Sequence, residues 1–136
     1  MPKVAGWDDV RRLALALPGT TEAPSHDGLP AWRVKDKLFV WERSLRRADH
    51  DALGDAAPDG PIVGARVADE GVKEALLADQ PDVYFTTPHF NGHPAVLVRL
   101  EQITVADLEE VVVEAWLDRA PRRLAEQYLN QRPERS

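Results

Sequence analysis

Three groups of residues in this 136-residue chain have types that could do chemistry. The first lies in FTTPHFNGHPAVLVRL, residues 85–100, which places His89, Asn91 and His93 between two apolar runs. Histidines four apart on a helix would face one metal ion, as in HExxH sites. Pro88, Gly92 and Pro94 forbid a helix here, and the chain has no cysteine, so no metal is expected. Asn91-Gly92 instead offers the positive φ of a tight connection, whose imidazoles and amide could hydrogen-bond a ligand. The second group is cationic. Arg33, Lys35 and Lys37 ring the tip of an earlier hairpin, Arg43, Arg46 and Arg47 follow its second strand, and Trp32 and Trp41 lie among them. A two-stranded ribbon fits the major groove, with basic side chains holding phosphates beside it. The competing explanation is the solvated face of a half-buried sheet with both tryptophans in the core. The third group, Ser25-His26-Asp27, has the residue types of a catalytic triad, but neighbours along one extended segment do not converge on a point. The chain contains no GxSxG, GxGxxG or Walker A motif. A non-enzymatic protein without a cofactor is expected.

The elements that must position these groups follow from periodicity. Val10, Leu13, Ala14 and Leu17 have the i, i+3, i+4, i+7 spacing of a buried helical stripe, predicting a helix over 7–17 that stops at Pro18-Gly19. Residues 20–28 hold a short edge strand. Ala31–Val34 and Lys37–Trp41 read as strands around a tight Lys35-Asp36 turn, with Leu38 and Val40 on one face and Phe39 and Trp41 on the other. Residues 43–60 read as a charged, mobile connection, and Ile62–Val67 as a further strand. A short helix over Glu70–Asp79 starts at an Asp69 N-cap, with Val72, Ala75 and Leu76 inward. Val83–Thr86 and Ala95–Leu100 form the next strand pair. Thr104 opens a long helix whose inner side is Val105, Leu108, Val111, Val112, Ala115 and Trp116. Ala120-Pro121 breaks it, with Pro121 suited to N1 of a last helix. Helices and antiparallel strands in this order make an α+β domain.

Composition sets the outer bounds. The length fits one domain, and 43% hydrophobic residues is ordinary for a soluble globular protein. No apolar run approaches membrane-spanning length, and the MPKVAGWDDV start lacks a signal core, so a cytoplasmic protein is expected. The formal charge of -6 is unevenly distributed: residues 1–48 are net basic, whereas 49–82 hold nine acids against two bases. An acidic total opposes strong non-specific binding to nucleic acid, yet it leaves room for one basic face.

Several segments together resemble a known family. WDDVRRLALALPG (7–19), WRVKDKLFVW (32–41), TPHFNGHPAVLVRL (87–100), Ala115-Trp116 and Ala120-Pro121 stand in an order similar to the MmcQ/YjbR family of small bacterial proteins. The resemblance runs from about residue 7 to residue 125, with residues 126–136 as a fraying tail of a single domain. It implies an α+β fold of the frataxin-like (CyaY-like) type, an antiparallel sheet with helices packed on one face. It also implies DNA binding by two hairpin wings. The chain departs from one form of the pattern: Thr87-Pro88-His89 and Gly92-His93-Pro94 stand where many members have a Gly-Tyr-His segment with basic residues and a Trp. By analogy of fold alone, the acidic 49–82 segment could bind divalent cations weakly.

Two functional expectations follow. In the first, Arg33, Lys35 and Lys37 contact the phosphates of double-stranded DNA, Arg43, Arg46 and Arg47 add charge, and His89 and Asn91 supply hydrogen bonds. In the alternative, Phe39, Trp41, Tyr84 and Phe85 form an apolar patch on an exposed sheet face, rimmed by His93, that binds a protein or a small molecule. A monomer and no membrane partner are expected in either case.

Overall fold

The computed structural model of the protein describes residues 4–25, 28–58 and 60–131. Helix α1 spans Trp7–Leu15 and is followed by strands β1 (Thr20–Pro24), β2 (Pro30–Val34) and β3 (Lys37–Arg43). Next come α2 (Arg47–Leu53), β4 (Ile62–Arg66), α3 (Glu70–Asp79), β5 (Tyr84–Phe85), β6 (Ala95–Arg99), α4 (Val105–Arg119) and α5 (Arg122–Gln131). The strands form one antiparallel sheet in the order β1-β2-β3-β4-β6-β5. The expected α+β architecture is therefore present. The last helix reaches Gln131, past the expected onset of fraying at 126, and residues 132–136 lie outside the described set.

Local chemistry starts the helices where the sequence places them. Asp9 accepts the Gly6 N–H at 3.0 Å to open α1, Asp69 accepts the Val72 N–H at 2.9 Å to open α3, and Thr104 Oγ1 accepts the Asp107 N–H at 3.2 Å to open α4. Each caps an amide that the first helical turn leaves without a partner. Pro121 stands just ahead of α5, its carbonyl accepting the Ala125 N–H at 3.0 Å.

The main core lies between one face of the sheet and helices α1 and α4. Val10, Ala14, Trp32, Val34, Val63, Leu108 and Trp116 are essentially inaccessible to solvent there. Burying each large apolar side chain contributes roughly 1.5–3 kcal/mol. The Trp116 indole donates to the Pro18 carbonyl at 3.0 Å, fastening α4 to the α1–β1 turn.

A bulge corrects the expected alternation in β3. Trp32 pairs with Val40 and Arg33 with Leu38, which leaves Phe39 as an extra residue. Phe39 and Val40 consequently both enter the main core, and Phe39 does not share a face with Trp41. A second correction concerns α3. Val72 is 41% exposed and Ala75 is exposed, whereas Lys73 is buried with 3% exposure.

The opposite face of the sheet carries its own apolar band. Trp41, Gly64, Leu97 and Phe85 lie in one row across β3, β4, β6 and β5. A Cβ on Gly64 would collide with the Trp41 indole, so glycine here lets the ring lie flat over its neighbour. Ile62 and Phe90 complete the band, and Leu45 and Leu53 pack against it from the segment containing α2. The stretch 43–60, read as a mobile connection, thus supplies a helix that helps cover the second face.

Candidate functional site

The β2–β3 connection is a two-residue turn. Lys35 and Asp36 both take positive φ, 49° and 70°. This is the primed turn geometry whose twist matches that of the flanking strands. Lys35 and Lys37 are exposed and Arg33 is half-exposed, and none of the three has an ion pair among the described residues. The turn abuts the α1–β1 turn and the first turn of α5: a Cβ on Gly19 would sit 3.7 Å from Lys35 Cε and 3.1 Å from Leu124 Cδ2. Arg122 and Arg123, both exposed, therefore begin α5 close to the same end of the sheet.

The β5–β6 connection leaves the same end. β3 and β6 are both antiparallel to β4, with Val40, Ala65 and Val96 in one row, so the chain enters β3 and β6 from one side. Two strand spacings, about 10 Å, separate them. From there the two connections diverge. Residues 88–90 form a 3-10 turn, and a second turn follows in which the His93 N–H donates to the Phe90 carbonyl at 3.0 Å. Asn91 (φ −61°, ψ 130°) and Gly92 (φ 78°) are its central residues, the type II pattern that calls for glycine at the second. The pair of turns folds back onto the second face of the sheet and seats Phe90 6.3 Å from Trp41, ring centre to ring centre. His89, Asn91 and His93 remain exposed on its outer side, with His89 edge-on to Phe90 at 4.9 Å.

Buried charges hold this loop. Lys73 of α3 donates from Nζ to the Phe90 carbonyl at 2.6 Å and to the His93 carbonyl at 3.0 Å, bracketing the type II turn. Arg43 is 8% exposed; its guanidinium lies 5.0 Å above the Phe90 ring and donates to Asp49 Oδ2 at 3.0 Å. Asp49 also accepts the Arg46 N–H at 2.9 Å, which starts α2. The buried Thr87 hydroxyl faces the same carboxylate from outside strict hydrogen-bond geometry. Burial alone would raise the Asp49 pKa. The Arg46 amide, the Arg43 charge and Thr87 outweigh it and hold the carboxyl below its ordinary value.

Several expected site residues are thereby corrected. Arg43, expected to add charge toward phosphate, is buried and neutralised by Asp49. Arg46 and Arg47 are exposed at the start of α2. The expected exposed aromatic patch does not form, because Phe39 (0%), Tyr84 (3%) and Phe85 (6%) are buried. They also divide between faces: Phe39 and Tyr84 enter the main core, Phe85 belongs to the second band beneath Arg99, and Trp41 is half-buried there. Of the Ser25-His26-Asp27 stretch, His26 and Asp27 lie outside the described residues. Among the described residues, no three His, Asp or Glu side chains assemble as a metal site, and no helix is long and apolar enough to cross a membrane.

The YjbR family model matches residues 15–117, which span both connections and the sheet that joins them. The chain belongs to the YjbR family. Uncharacterized proteins of Mycobacterium bovis and Mycobacterium tuberculosis are 57% identical to it over 129 residues, covering 93% of this chain and 97% of theirs. The crystal structure of a Deinococcus radiodurans protein with a DUF419 domain shares the fold at TM-score 0.63 and 21% identity, covering 84% of this chain and 78% of that one.

In this YjbR protein the residues that sequence reasoning missed are the ones that hold the loop: Asp49, Lys73, Thr87 and Phe90. Asp49 left one readable trace, an acid three residues after Arg46 where a helix could begin. Lys73 left none, since a lysine on a short helix reads as solvated by default.

Proposed function

We propose that this YjbR-family protein is a non-catalytic, cytoplasmic, double-stranded DNA-binding protein that engages phosphates through its β2–β3 turn. The observation that carries the reading is the set of half-exposed Arg33 and exposed Lys35 and Lys37, at a tight turn and without an ion pair among the described residues. Side chains of this kind release counterions from DNA at little desolvation cost. The β5–β6 loop, which starts from the same end of the sheet and folds back onto its second face, exposes His89 and Asn91 as further hydrogen-bonding groups, the part given to a second wing in the CyaY-like arrangement that the family resemblance implies. Arg46 and Arg47 add exposed charge at α2, while Arg43 serves the fold. The non-catalytic reading is supported by the buried Arg43–Asp49 pair, whose groups are committed to each other and to the loop.

Three phosphate contacts set the expected salt response. For three neutralised phosphates, log affinity should fall against log salt with a slope of about −2.7, roughly 40-fold between 50 and 200 mM. Fluorescence anisotropy of a labelled duplex titrated with the protein over that range measures it. Salt-independent binding, or no anisotropy change at micromolar protein in low salt, contradicts the reading.

A further inference from the structure

A cleft between α3 and α4 takes no part in the DNA reading. It has a volume of about 220 Å³. Val72 and Leu76 of α3 and Val111 of α4 give it apolar walls, and Tyr84 also lines it. Asp107, Glu110 and Glu114, spaced i, i+3 and i+7 along α4, put three carboxylates on the same side of the cleft. None of the three has an ion pair among the described residues. Carboxylates at this helical spacing repel one another, so a cation between them relieves that repulsion. Arg66 is the one cation among the lining residues, and its guanidinium lies toward Asp118, 3.9 Å away.

A second observation points the same way. Tyr84 is 3% exposed and lines the cleft, and among the described residues no hydrogen bond reaches its hydroxyl. The ring is buried while the hydroxyl keeps contact with the solvent of the cleft, so a donor that enters the cleft can reach it. Burial, reinforced by Asp107 and Glu110, pushes the Tyr84 phenol up to about 12, so it stays a neutral hydroxyl.

We propose that this cleft binds a small primary amine with an apolar body. The ammonium lies among Asp107, Glu110 and Glu114 and donates to the Tyr84 hydroxyl, and the body packs against Val72, Leu76 and Val111. An inorganic cation fits less well, because hard divalent ions need six or more oxygen ligands and the walls supply hydrocarbon. An anion is repelled. The volume lies below the roughly 300–1,000 Å³ of drug-sized sites, which limits the ligand to a short chain or one ring. This proposal stands or falls independently of DNA binding.

The test uses phenethylamine as probe, with phenylacetate as its counterpart of opposite charge and Ca²⁺ as an inorganic control, followed by amide NMR shifts of the whole protein at neutral pH. The expected result is saturable shifts in α3 and α4 with phenethylamine in the millimolar range. Phenylacetate and Ca²⁺ should give none, and Glu110→Gln/Glu114→Gln should weaken the amine at least tenfold. Should that pair of changes fail to fold, Val72→Trp, at an exposed site on the cleft wall, should block the amine while leaving the fold intact. Absent or non-saturable shifts, equal binding of phenylacetate, Ca²⁺ shifts at the same amides, or unchanged affinity in the variants would overturn the proposal.

Discussion

The Lys35-Asp36 turn and the 86–94 connection leave one end of the same sheet, and they are held in opposite ways. The turn keeps its shape through backbone geometry and strand pairing, leaving its cations in water. The longer connection is fastened from below by Lys73, Arg43 and Asp49, which lie in three other parts of the chain, and it anchors Phe90 in an apolar band. The contrast teaches that a basic residue near a hairpin has no fixed meaning. Desolvated and bonded, Arg43 to a carboxylate and Lys73 to two backbone carbonyls, it builds structure; solvated and without such partners, as in Lys35 and Lys37, it is available to a polyanion.

The largest expected break in that contrast is Asp49→Ala. It strands the buried Arg43 charge, and loss of one partner of a buried pair costs about 3–5 kcal/mol. Urea unfolding should register the loss, and a change below 1 kcal/mol would mean that the pair is solvated in practice. The same site has a pH signature. Because the folded Asp49 carboxyl lies below its unfolded value, the unfolded chain takes up the proton first as pH falls. Its contribution is therefore complete above the unfolded value near about pH 4 and fades as pH falls from there through the depressed folded value. Asp49→Ala should lack this component of acid destabilisation.

Next in size is Lys73→Met, which keeps the stem and removes two charged hydrogen bonds to the loop. About 2–3 kcal/mol should be lost, with faster amide exchange at His93. An unchanged exchange rate would show that the loop holds itself. Gly92→Ala should cost about 1 kcal/mol through its positive φ alone, since a Cβ there meets nothing within 4 Å. On the other side of the comparison, Lys35→Glu/Lys37→Glu should leave stability within about 0.5 kcal/mol of the parent, as surface charges do. A substantial destabilisation by that pair would show that the turn also relies on its side chains.

The parts of the molecule legible in sequence were those governed by local rules. The stripe Val10, Leu13, Ala14, Leu17, the Asp69 and Thr104 caps, and the Lys35-Asp36 turn all follow from residues within one or two turns of chain. What escaped depended on register or on distant partners. The bulge at Phe39 reverses a face assignment by one residue, and nothing in KLFVW marks which residue is extra. The fit of Trp41 over Gly64 exists only once β3 pairs with β4. The burial of Arg43, Asp49 and Lys73 needs partners up to 20 residues apart, and charged types are read as solvated until such partners appear. The tip residues Arg33, Lys35, Lys37, His89, Asn91 and His93 were legible as solvent-facing, while the aromatic patch was not, because burial on both faces looks the same in sequence as exposure on one.

The central claim, that the short turn engages DNA while the long loop is chiefly held structure, is tested most directly by two double variants measured side by side. Duplex anisotropy at 50 mM salt should show Lys35→Glu/Lys37→Glu without detectable binding. His89→Ala/Asn91→Ala should bind a few-fold more weakly than the parent, with the same salt slope. Undiminished binding by the charge-reversed turn, or complete loss in the His89/Asn91 pair alone, would contradict the account.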